Sequence, residues 1–258
     1  MKLALVGYGK MGHIIEETAI ALGHKIVATI DNYAKDATVQ VSAAAEIAKA
    51  VQDSEAEGVI EFTHPDAVVK NIQALIPLQI PIVVGTTGWY DTLDDIADLV
   101  KKENGSLFYS ANYSIGVNMF YRIIEQASNL LSLYDEYDVA VWEAHHNQKA
   151  DSPSGTALSV AHAVMAGNQR KKEMVVDAFH EKPKAHQLHV SSTRCGCVPG
   201  THKVFFDSPA DTIELTHTAR SREGFAIGAV RALVWLKAGI TDGFLTRGEL
   251  YTMKDFLG

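Results

Sequence analysis

Cysteine is scarce in this chain of 258 residues, where only Cys195 and Cys197 occur. A single intervening residue places them too close together for an ordinary disulfide framework, and the second cysteine pair that a zinc site would need is absent. We therefore expect both thiols to be reduced and structural. Internal repeats, low-complexity segments and Gly/Ser linkers are also missing, so the composition is that of an ordinary globular chain with one large or two modest domains.

Long apolar runs and an excess of basic residues are missing too. No run of about 18 apolar residues is present, and the first residues lead into a strand pattern without a signal peptide, so we expect a cytoplasmic protein that does not bind membranes. The formal net charge is −8. This charge argues against nucleic acid as a partner, because a binder needs a basic face. An anionic ligand must instead be held by local positive groups.

The segment Trp142 to Leu158, W-E-A-H-H-N-Q-K-A-D-S-P-S-G-T-A-L, carries most of the chemistry in the sequence. The alternation over residues 137–143 predicts a strand. A turn and a helix start should follow, with Asp151 or Ser152 as the N-cap and Pro153 at the first helical position. The segment thus predicts a strand that runs through a short turn into a helix.

Proton-carrying side chains precede this predicted helix. His145 and His146 can titrate near neutral pH, and the charged Lys149 follows. Residues 154–156, Ser-Gly-Thr, should lie in the first helical turn, where backbone N–H groups lack partners and the helix dipole is positive. The pattern predicts an anion site, best matched by a carboxylate, with acid groups beside it. Adjacent residues of a strand point to opposite faces, so the two histidines should not share a metal and we predict no metal site.

The N-terminal segment predicts a dinucleotide site. A buried strand over residues 2–6 leads into Gly7-Tyr8-Gly9-Lys10-Met11-Gly12 and then a helix, which is the context that the G-x-G-x-x-G fingerprint requires. A second strand over residues 25–30 ends at Asp31, whose carboxylate can accept hydrogen bonds from the adenosine ribose. Asn32 follows Asp31 where NADPH recognition favours a cation, so we expect NADH, with NADPH also accepted.

Alternating strands and helices continue to about residue 115, which predicts a Rossmann-like, doubly wound parallel sheet with ligands at the carboxyl ends of its strands. Residues at those ends should line the cofactor groove: Phe62 and Thr63, Gly85, Thr86 and Thr87, and Ala111, Asn112, Tyr113 and Ser114.

Later in the chain several strands follow one another with few helices between them. The predicted strands lie around Met174 to Ala178, 187–194, 202–206 and 212–220, with a hairpin connection at 207–211. This pattern predicts an α/β protein with a second, α+β domain whose sheet is mostly antiparallel. We assign residues 1–115 and 224–258 to the dinucleotide-binding domain, and 116–223 to a substrate-binding and oligomerisation domain.

The segments G-T-T-G, S-A-N-Y-S-I-G-V-N and E-A-H-H-N-Q-K-A-D-S-P-S-G-T-A closely resemble those of the 4-hydroxy-tetrahydrodipicolinate reductases, also called dihydrodipicolinate reductases. The resemblance extends from the first strand to the C-terminal Y-T-M-K-D-F-L. It implies an NAD(P)H-dependent oxidoreductase that reduces a cyclic dicarboxylate in the diaminopimelate route to lysine, and it implies a homotetramer.

Residue roles follow from this resemblance. It implies that His145 is the catalytic acid/base and Lys149 a proton donor. It implies that His146, Gly155 and Thr156 contact the substrate, to which the helix-start argument adds Ser154. The cofactor contacts that it implies are Gly7 to Gly12, Asp31, Gly85 to Thr87 and Ala111 to Ser114, and we add Phe62 from its position at a strand end.

Two alternatives remain open from sequence. One is another NAD(P)H-dependent reductase of a different small carboxylate. The other is a non-catalytic dinucleotide sensor, although a protein released from catalysis has no physical need for both His145 and Lys149.

Overall fold

The computed structural model describes residues 1–176 and 178–258. Within them the strands are β1 (Lys2–Val6), β2 (Lys25–Asp31), β3 (Val39–Gln40), β4 (Gly58–Glu61), β5 (Ile82–Val84), β6 (Ser106–Tyr109), β7 (Asp138–His145), β8 (Glu173–Val175), β9 (Gln187–Arg194), β10 (Thr201–Asp207), β11 (Thr212–Thr218) and β12 (Glu249–Tyr251). The α-helices are α1 (Lys10–Ala21), α2 (Ala44–Asp53), α3 (Pro65–Leu75), α4 (Leu93–Lys102), α5 (Ile115–Leu131), α6 (Gly155–Gly167), α7 (Glu223–Asp242) and α8 (Met253–Leu257).

Contacts between Cα atoms group the chain into two compact units. The first unit contains residues 1–114 and 222–258, and the second contains residues 115–221. The chain therefore leaves the first unit after β6 and returns to it with α7.

The sheet of the first unit has seven strands in the order β12-β6-β5-β4-β1-β2-β3, and every neighbouring pair is parallel. From β1 the chain moves outward through β2 to β3, and then crosses to β4 on the other side of β1. The strand order thus reverses beside β1, which is where a doubly wound sheet binds its ligand. The parallel sheet predicted from the sequence is confirmed.

The apolar composition of the strands explains why they form the core of the first unit. Leu3, Ala4, Leu5 and Val6 of β1 are all buried, as expected for a parallel strand with both faces covered. The core extends from this strand through β5 to Trp89 and the inner face of α4. The two strands that the sequence did not predict, β3 and β12, have two and three residues, which is too short for a periodic pattern to show.

Helix α7 is the central helix of the first unit. By length and apolar composition alone it could cross a membrane, but it packs on α1 and on the strands β4, β5 and β6. Its buried residues are mostly small: Ala226, Gly228, Ala229, Val230, Ala232, Leu233, Leu236 and Gly239. Small side chains let the helix approach the sheet closely, so α7 is a core helix of this unit.

The second unit contains a five-stranded sheet in the order β11-β10-β7-β9-β8. Strand β10 is antiparallel to β7 and to β11, whereas β9 is parallel to β7 and to β8. The prediction of a mostly antiparallel sheet was therefore wrong, and the sheet is mixed. Helix α6 is the reason, because it follows β7 as a crossover, and crossovers connect parallel strands. Helices α5 and α6 pack together on the sheet through Ile124, Val160 and their neighbours.

Some predicted boundaries need correction. Helix α6 begins at Gly155, and its N-cap is Ser154 rather than Asp151 or Ser152, because the Ser154 backbone is extended and its Oγ accepts a hydrogen bond from the Ala157 N–H at 3.1 Å. Pro153 consequently lies before the helix. The strand predicted around Met174 to Ala178 is observed as the three residues of β8, and Asp177 lies outside the described residues.

Substitution of Gly228 by alanine should destabilise the first unit. A Cβ atom at this position would meet the carbonyl oxygen of Tyr113 at less than contact distance, and such overpacking typically costs about 1–3 kcal/mol. Gly224 lies in the same helix, and a Cβ there would meet only the Ser114 hydroxyl at 3.7 Å. We expect Gly228→Ala to lower the melting temperature by several degrees, with Gly224→Ala unchanged or slightly stabilised, in thermal unfolding followed by circular dichroism. Equal melting temperatures for the two variants would contradict this account of α7.

Candidate active site

Strand β7 continues two residues beyond its predicted end at Glu143 and terminates at His145. Side chains two positions apart in a strand lie on the same face. Glu143 and His145 are therefore neighbours, and Glu143 Oε2 contacts His145 Nδ1. Both residues are buried, and Glu143 has no exposed surface at all. The structure thus places a buried carboxylate directly behind the histidine that the sequence singled out.

Two further groups bind the other carboxylate oxygen of Glu143. Arg194, at the end of β9, places Nη2 2.8 Å from Oε1, and the backbone N–H of Ser154 donates to the same oxygen at 3.3 Å. Burial favours the neutral carboxyl, but hydrogen bonds from Ser192 and Arg194 and the nearby His145 outweigh it, so the pKa of Glu143 is lowered. Glu143 is therefore a carboxylate at neutral pH.

His145 is buried, and charged groups of both signs lie around its imidazole ring. Burial lowers its pKa, the carboxylate of Glu143 raises it, and the positive charges of Lys149 and Arg194 lower it further, with a net decrease. The ring of His202 on β10 meets that of His145 edge-on at 5.2 Å between centroids. Burial lowers the pKa of His202 to about 4, so His202 is neutral and does not compete for a proton near pH 7.

His146 and Lys149, which the sequence predicts to lie near His145, are found directly after β7. Lys149 Nζ forms an ion pair with Asp151 Oδ1 at 2.7 Å and is partly exposed. His146 is partly buried and lies at the strand end. The backbone N–H of Cys195 donates to the carbonyl of His145 at 2.9 Å, and both cysteines are unpaired and exposed. Their exposure places both cysteines outside the core, and their reduced state stays a prediction.

The start of helix α6 has the properties of an anion site. Ser154 is buried at the N-cap, Gly155 is exposed and Thr156 is partly buried. A Cβ atom at Gly155 would find nothing within 4 Å, so the space on that side of the helix start is open to a ligand atom, and the carboxylate of Asp151 accepts the N–H of Gly155. Ser154 Oγ also lies 3.3 Å from His202 Nε2, and Ser154 N–H binds Glu143. The start of α6 is thus directly connected to Glu143 and His202 within the second unit.

Glu143, His145 and His202 also have the donor atoms of a metal site, since one ligand atom of each lies within 4.8 Å of the others. Their charge environment favours a proton-transfer site instead. The guanidinium of Arg194 already occupies Glu143 Oε1, and Lys149 is near enough to lower the pKa of His145. Two resident cations oppose the entry of a third, so we assign no metal to this cluster.

The glycine turn of the first unit is shaped for a dinucleotide. Gly7 has φ +93°, and a Cβ atom there would collide with the carbonyl of Phe62. A Cβ at Gly12 would likewise collide with the carbonyl of Gly7, whereas one at Gly9 would find nothing within 4 Å. Helix α1 begins at Lys10 with no side chain capping its N-terminus. The turn therefore leaves open space at Gly9 beside a helix start that carries no side-chain cap, as a pyrophosphate requires.

Asp31 ends β2 beside this turn. One carboxylate oxygen accepts the N–H of Tyr8 at 2.7 Å, and the other accepts the N–H groups of Tyr33 at 2.6 Å and Ala34 at 3.0 Å. Burial works against ionisation, but these hydrogen bonds prevail and lower the pKa of Asp31. A fixed negative charge therefore stands next to the glycine turn.

The remaining predicted groove residues follow β4, β5 and β6, and several of their side chains are used inside the fold. Thr86 Oγ1 donates to Glu61 Oε2 at 2.7 Å and accepts the Thr63 N–H at 2.7 Å. Tyr113 is buried, with its hydroxyl donating to the carbonyl of Val84 at 2.7 Å. A Cβ atom at Gly85 would enter the ring of Phe62. The side chains of these residues are used to shape the loops. A contact of Thr86 or Tyr113 with a ligand would therefore be made by backbone atoms.

Sequence reasoning missed four residues of these sites: Glu143, Arg194, His202 and Glu61. Only Glu143 had a signal in the sequence, because the Glu-x-His spacing at the end of a strand puts both side chains on one face. Arg194 and His202 come from strands about 50 residues later, and nothing local in the chain connects them to His145.

The chain matches two family models that together cover nearly its whole length. One is described as dihydrodipicolinate reductase, N-terminus, over residues 1–113, and the other as dihydrodipicolinate reductase, C-terminus, over residues 116–257. A 4-hydroxy-tetrahydrodipicolinate reductase from Christiangramia forsetii is 37% identical over 257 residues, with 100% of this chain and 98% of the relative covered. Its namesake from Archaeoglobus fulgidus is 37% identical over 268 residues, with 100% of both chains covered.

Solved structures show the same fold. The dipicolinate-bound dihydrodipicolinate reductase from Paenisporosarcina sp. TG-14 superposes with a TM-score of 0.71 at 18% identity, over 98% of this chain and 97% of that chain. A probable dehydrogenase from Thermotoga maritima gives a TM-score of 0.59 at 11% identity, over 99% of this chain and 92% of that chain.

Proposed function

Because the chain belongs to the dihydrodipicolinate reductase family, NAD(P)H-dependent oxidoreductases of the diaminopimelate route to lysine, we propose that it reduces 4-hydroxy-tetrahydrodipicolinate to tetrahydrodipicolinate with His145 as the proton donor. The observation that carries this assignment is the buried pair of His145 and Glu143 next to Lys149 and the N-terminus of α6.

Substrate binding is assigned to the start of α6 and the turn before it. The substrate is a dicarboxylate, and the N–H groups around Gly155 and Thr156 are suited to one carboxylate because they carry the positive end of the helix dipole. His146 and Lys149 add positive charge or hydrogen-bond donors, and the Ser154 side chain holds the helix start in place. These groups orient the ring so that its reacting carbon faces His145.

His145 supplies the proton. 4-Hydroxy-tetrahydrodipicolinate first loses its 4-hydroxyl group as water, with a hydrogen from C3, which gives the conjugated ring of dihydrodipicolinate. Hydride addition to C4 of that ring leaves an electron pair at C3, which takes a proton from His145 Nε2, so one hydride and one proton reduce the double bond and water is the by-product. In the free protein His145 has a lowered pKa. Binding of a dianion next to it favours the imidazolium form, so substrate binding itself charges the acid. Lys149 serves as a second proton donor and returns a proton to His145.

Cofactor binding is assigned to the glycine turn, Asp31 and the loops after β4, β5 and β6. A bound nicotinamide dinucleotide supplies the hydride. The open space at Gly9 and the uncapped start of α1 fit its pyrophosphate. The carboxylate of Asp31 fits a ribose diol and repels a 2′-phosphate, which supports a preference for NADH with NADPH also accepted. Residues of the second unit accordingly carry the substrate, and residues of the first carry the cofactor.

We further propose a cytoplasmic homotetramer. The support on this chain is the edge strand β11 of the second unit, whose residues are largely exposed and include the apolar Ile213. An exposed strand edge with an apolar residue is suited to pairing with another copy.

Removal of either proposed proton donor should strongly lower turnover without loss of cofactor binding. We expect His145→Ala and Lys149→Ala each to lower kcat by at least about 10²-fold, the usual contribution of a positioned general acid. His162→Ala changes an exposed histidine on α6 and serves as the matched control. The measurement is oxidation of NADH and NADPH at the nicotinamide absorbance, with substrate made in situ by dihydrodipicolinate synthase. Wild-type turnover in the His145 variant would refute its role.

The carboxylate site at α6 can be tested separately. Gly155→Val should fill the open space beside the helix N–H groups, and Thr156→Val should remove a hydroxyl from the same turn. We expect both to raise the substrate KM by about 10-fold or more with the cofactor KM unchanged, since a charged hydrogen bond contributes about 1.5–3 kcal/mol. Thr156→Ser keeps the hydroxyl and should stay near wild type. An equal rise in both KM values would contradict the placement of the substrate.

Asp31 should determine the choice of dinucleotide. Asp31→Arg places a cation where the 2′-phosphate of NADPH would lie, so we expect the ratio of kcat/KM for NADPH to that for NADH to rise by at least about 10-fold. Asp31→Asn keeps an oxygen for the backbone N–H groups but removes the charge, and should produce a smaller shift in the same direction. An unchanged ratio in Asp31→Arg would place the ribose contact elsewhere.

A further inference from the structure

We propose that Glu143 is a positioning residue for proton transfer, whose buried carboxylate holds His145 in the tautomer with hydrogen on Nδ1 so that Nε2 carries the transferred proton. The inference rests on the proposed function, since it takes His145 to be the acid. It concerns a residue that binds neither substrate nor cofactor and acts through His145.

The geometry at Nδ1 determines the tautomer. Glu143 Oε2 contacts His145 Nδ1, and an ionised carboxylate can only accept a hydrogen bond. The negative charge of this carboxylate stabilises a hydrogen on Nδ1 and repels a lone pair there, so the neutral ring carries its hydrogen on Nδ1 and its lone pair on Nε2. Burial of both side chains removes water as a competing donor.

The far side of the ring is kept clear for a reacting atom. Gly200 lies beside Nε2 with φ +149°, and a Cβ atom there would lie 3.0 Å from Nε2. A side chain at position 200 would thus crowd the nitrogen that must reach the substrate. Glu143 orients one edge of the imidazole, and the lack of a side chain at position 200 leaves room beside the other edge.

Four groups from separate elements face the imidazole: Glu143 on β7, Arg194 on β9, His202 on β10 and Lys149 in the turn, the last paired with Asp151. Glu143 raises the pKa of His145, whereas Lys149 and Arg194 lower it. His202 contributes no charge near pH 7, because burial lowers its pKa to about 4. Glu143 is thus the group that favours the protonated acid.

Glutamine at position 143 should reverse the tautomer. Glutamine has one acceptor oxygen where glutamate has two. Arg194 and the Ser154 N–H both donate to the Oε1 side, so the amide oxygen should remain there and the amide nitrogen should face Nδ1. Nδ1 must then accept a hydrogen bond, which moves the ring hydrogen to Nε2. Loss of the negative charge also lowers the pKa of His145 further.

The experiment is a pH titration of the histidine side chains by two-bond ¹H–¹⁵N NMR on the full-length protein without substrate, with the His145 signal assigned from its absence in His145→Asn. We expect the Nδ1–H tautomer in the wild type and the Nε2–H tautomer with a lower pKa in Glu143→Gln. In turnover assays we expect Glu143→Gln to lower kcat by at least about 10²-fold, with KM changed less than about threefold. The acid must be protonated, so activity is lost as pH rises through its pKa, and the alkaline limb of kcat should move to lower pH.

A second variant keeps the proposal testable if Glu143→Gln does not fold. Lys149→Gln removes a partly exposed cation that lowers the pKa of His145 but leaves Glu143 and its buried partners in place, so the pKa should rise and the Nδ1–H tautomer should persist. A purely structural role would not shift the pKa in opposite directions in the two variants. Glu173→Gln is the matched control, because Glu173 contacts His186 at 3.2 Å in the same unit but both side chains are exposed. It should leave the His145 signal and kcat unchanged.

The outcomes separate this proposal from the assignment of the acid. A wild-type tautomer and pKa in Glu143→Gln would overturn the positioning role, whatever His145 does in catalysis. A reversed tautomer with wild-type kcat would also overturn it. If His145→Ala in addition retained full turnover, the proposed function of His145 would fail too, and the two failures would be distinguished by that variant.

Discussion

The buried carboxylate of Glu143 is the constraint on which the geometry of the second unit's site depends. An ionised carboxylate without exposed surface is costly unless its oxygens are paired. The chain pairs it with a side chain from its own strand, a guanidinium from β9 and a backbone N–H from the start of α6. Removal of one partner of such a buried pair commonly costs about 3–5 kcal/mol. The three elements are therefore fixed relative to one another around a single charge.

Several properties of the site follow from that arrangement. Since Ser154 donates its N–H to Glu143, the start of α6 must lie next to the end of β7, and the first turn of the helix comes within the same region as His145. The N-cap of α6 is Ser154 rather than a residue of the preceding turn. Ser154 connects the helix to the carboxylate through its N–H and caps the helix through its Oγ. The anion site and the acid thus share one structural origin.

The sequence predicted the parallel sheet well because its strands are buried on both faces and so read as continuous apolar runs, such as K-L-A-L-V in β1. The candidate site could also be proposed from sequence, since His145, Lys149 and the helix start lie within one short segment of the chain, and its role stays a prediction. The partners of Glu143 could not be predicted, because Arg194 and His202 reach it only through strand pairing across the sheet of the second unit. The mixed sheet was missed for a related reason. Strand direction depends on the crossover through α6, which the strand pattern alone does not reveal.

Each unit contains a fully buried glutamate at or near a strand end, and their partners differ in a way that explains their different chemistry. Glu61 of the first unit is bound by the hydroxyls of Thr63 and Thr86 and by the amide of Asn71. These neutral partners do not offset burial, so the pKa of Glu61 is raised, and its carboxyl connects the loops after β4 and β5 by hydrogen bonds alone. Glu143 has Arg194 and His145 as partners, and its pKa is lowered. Hydrogen bonds from neutral groups are enough for Glu61 to hold two loops together, but only an ionised carboxylate can stabilise an imidazolium. The hydrogen bonds from Ser192 and Arg194 and the nearby His145 therefore suit Glu143 to a role in proton transfer, whereas the neutral partners of Glu61 suit it to shaping a groove.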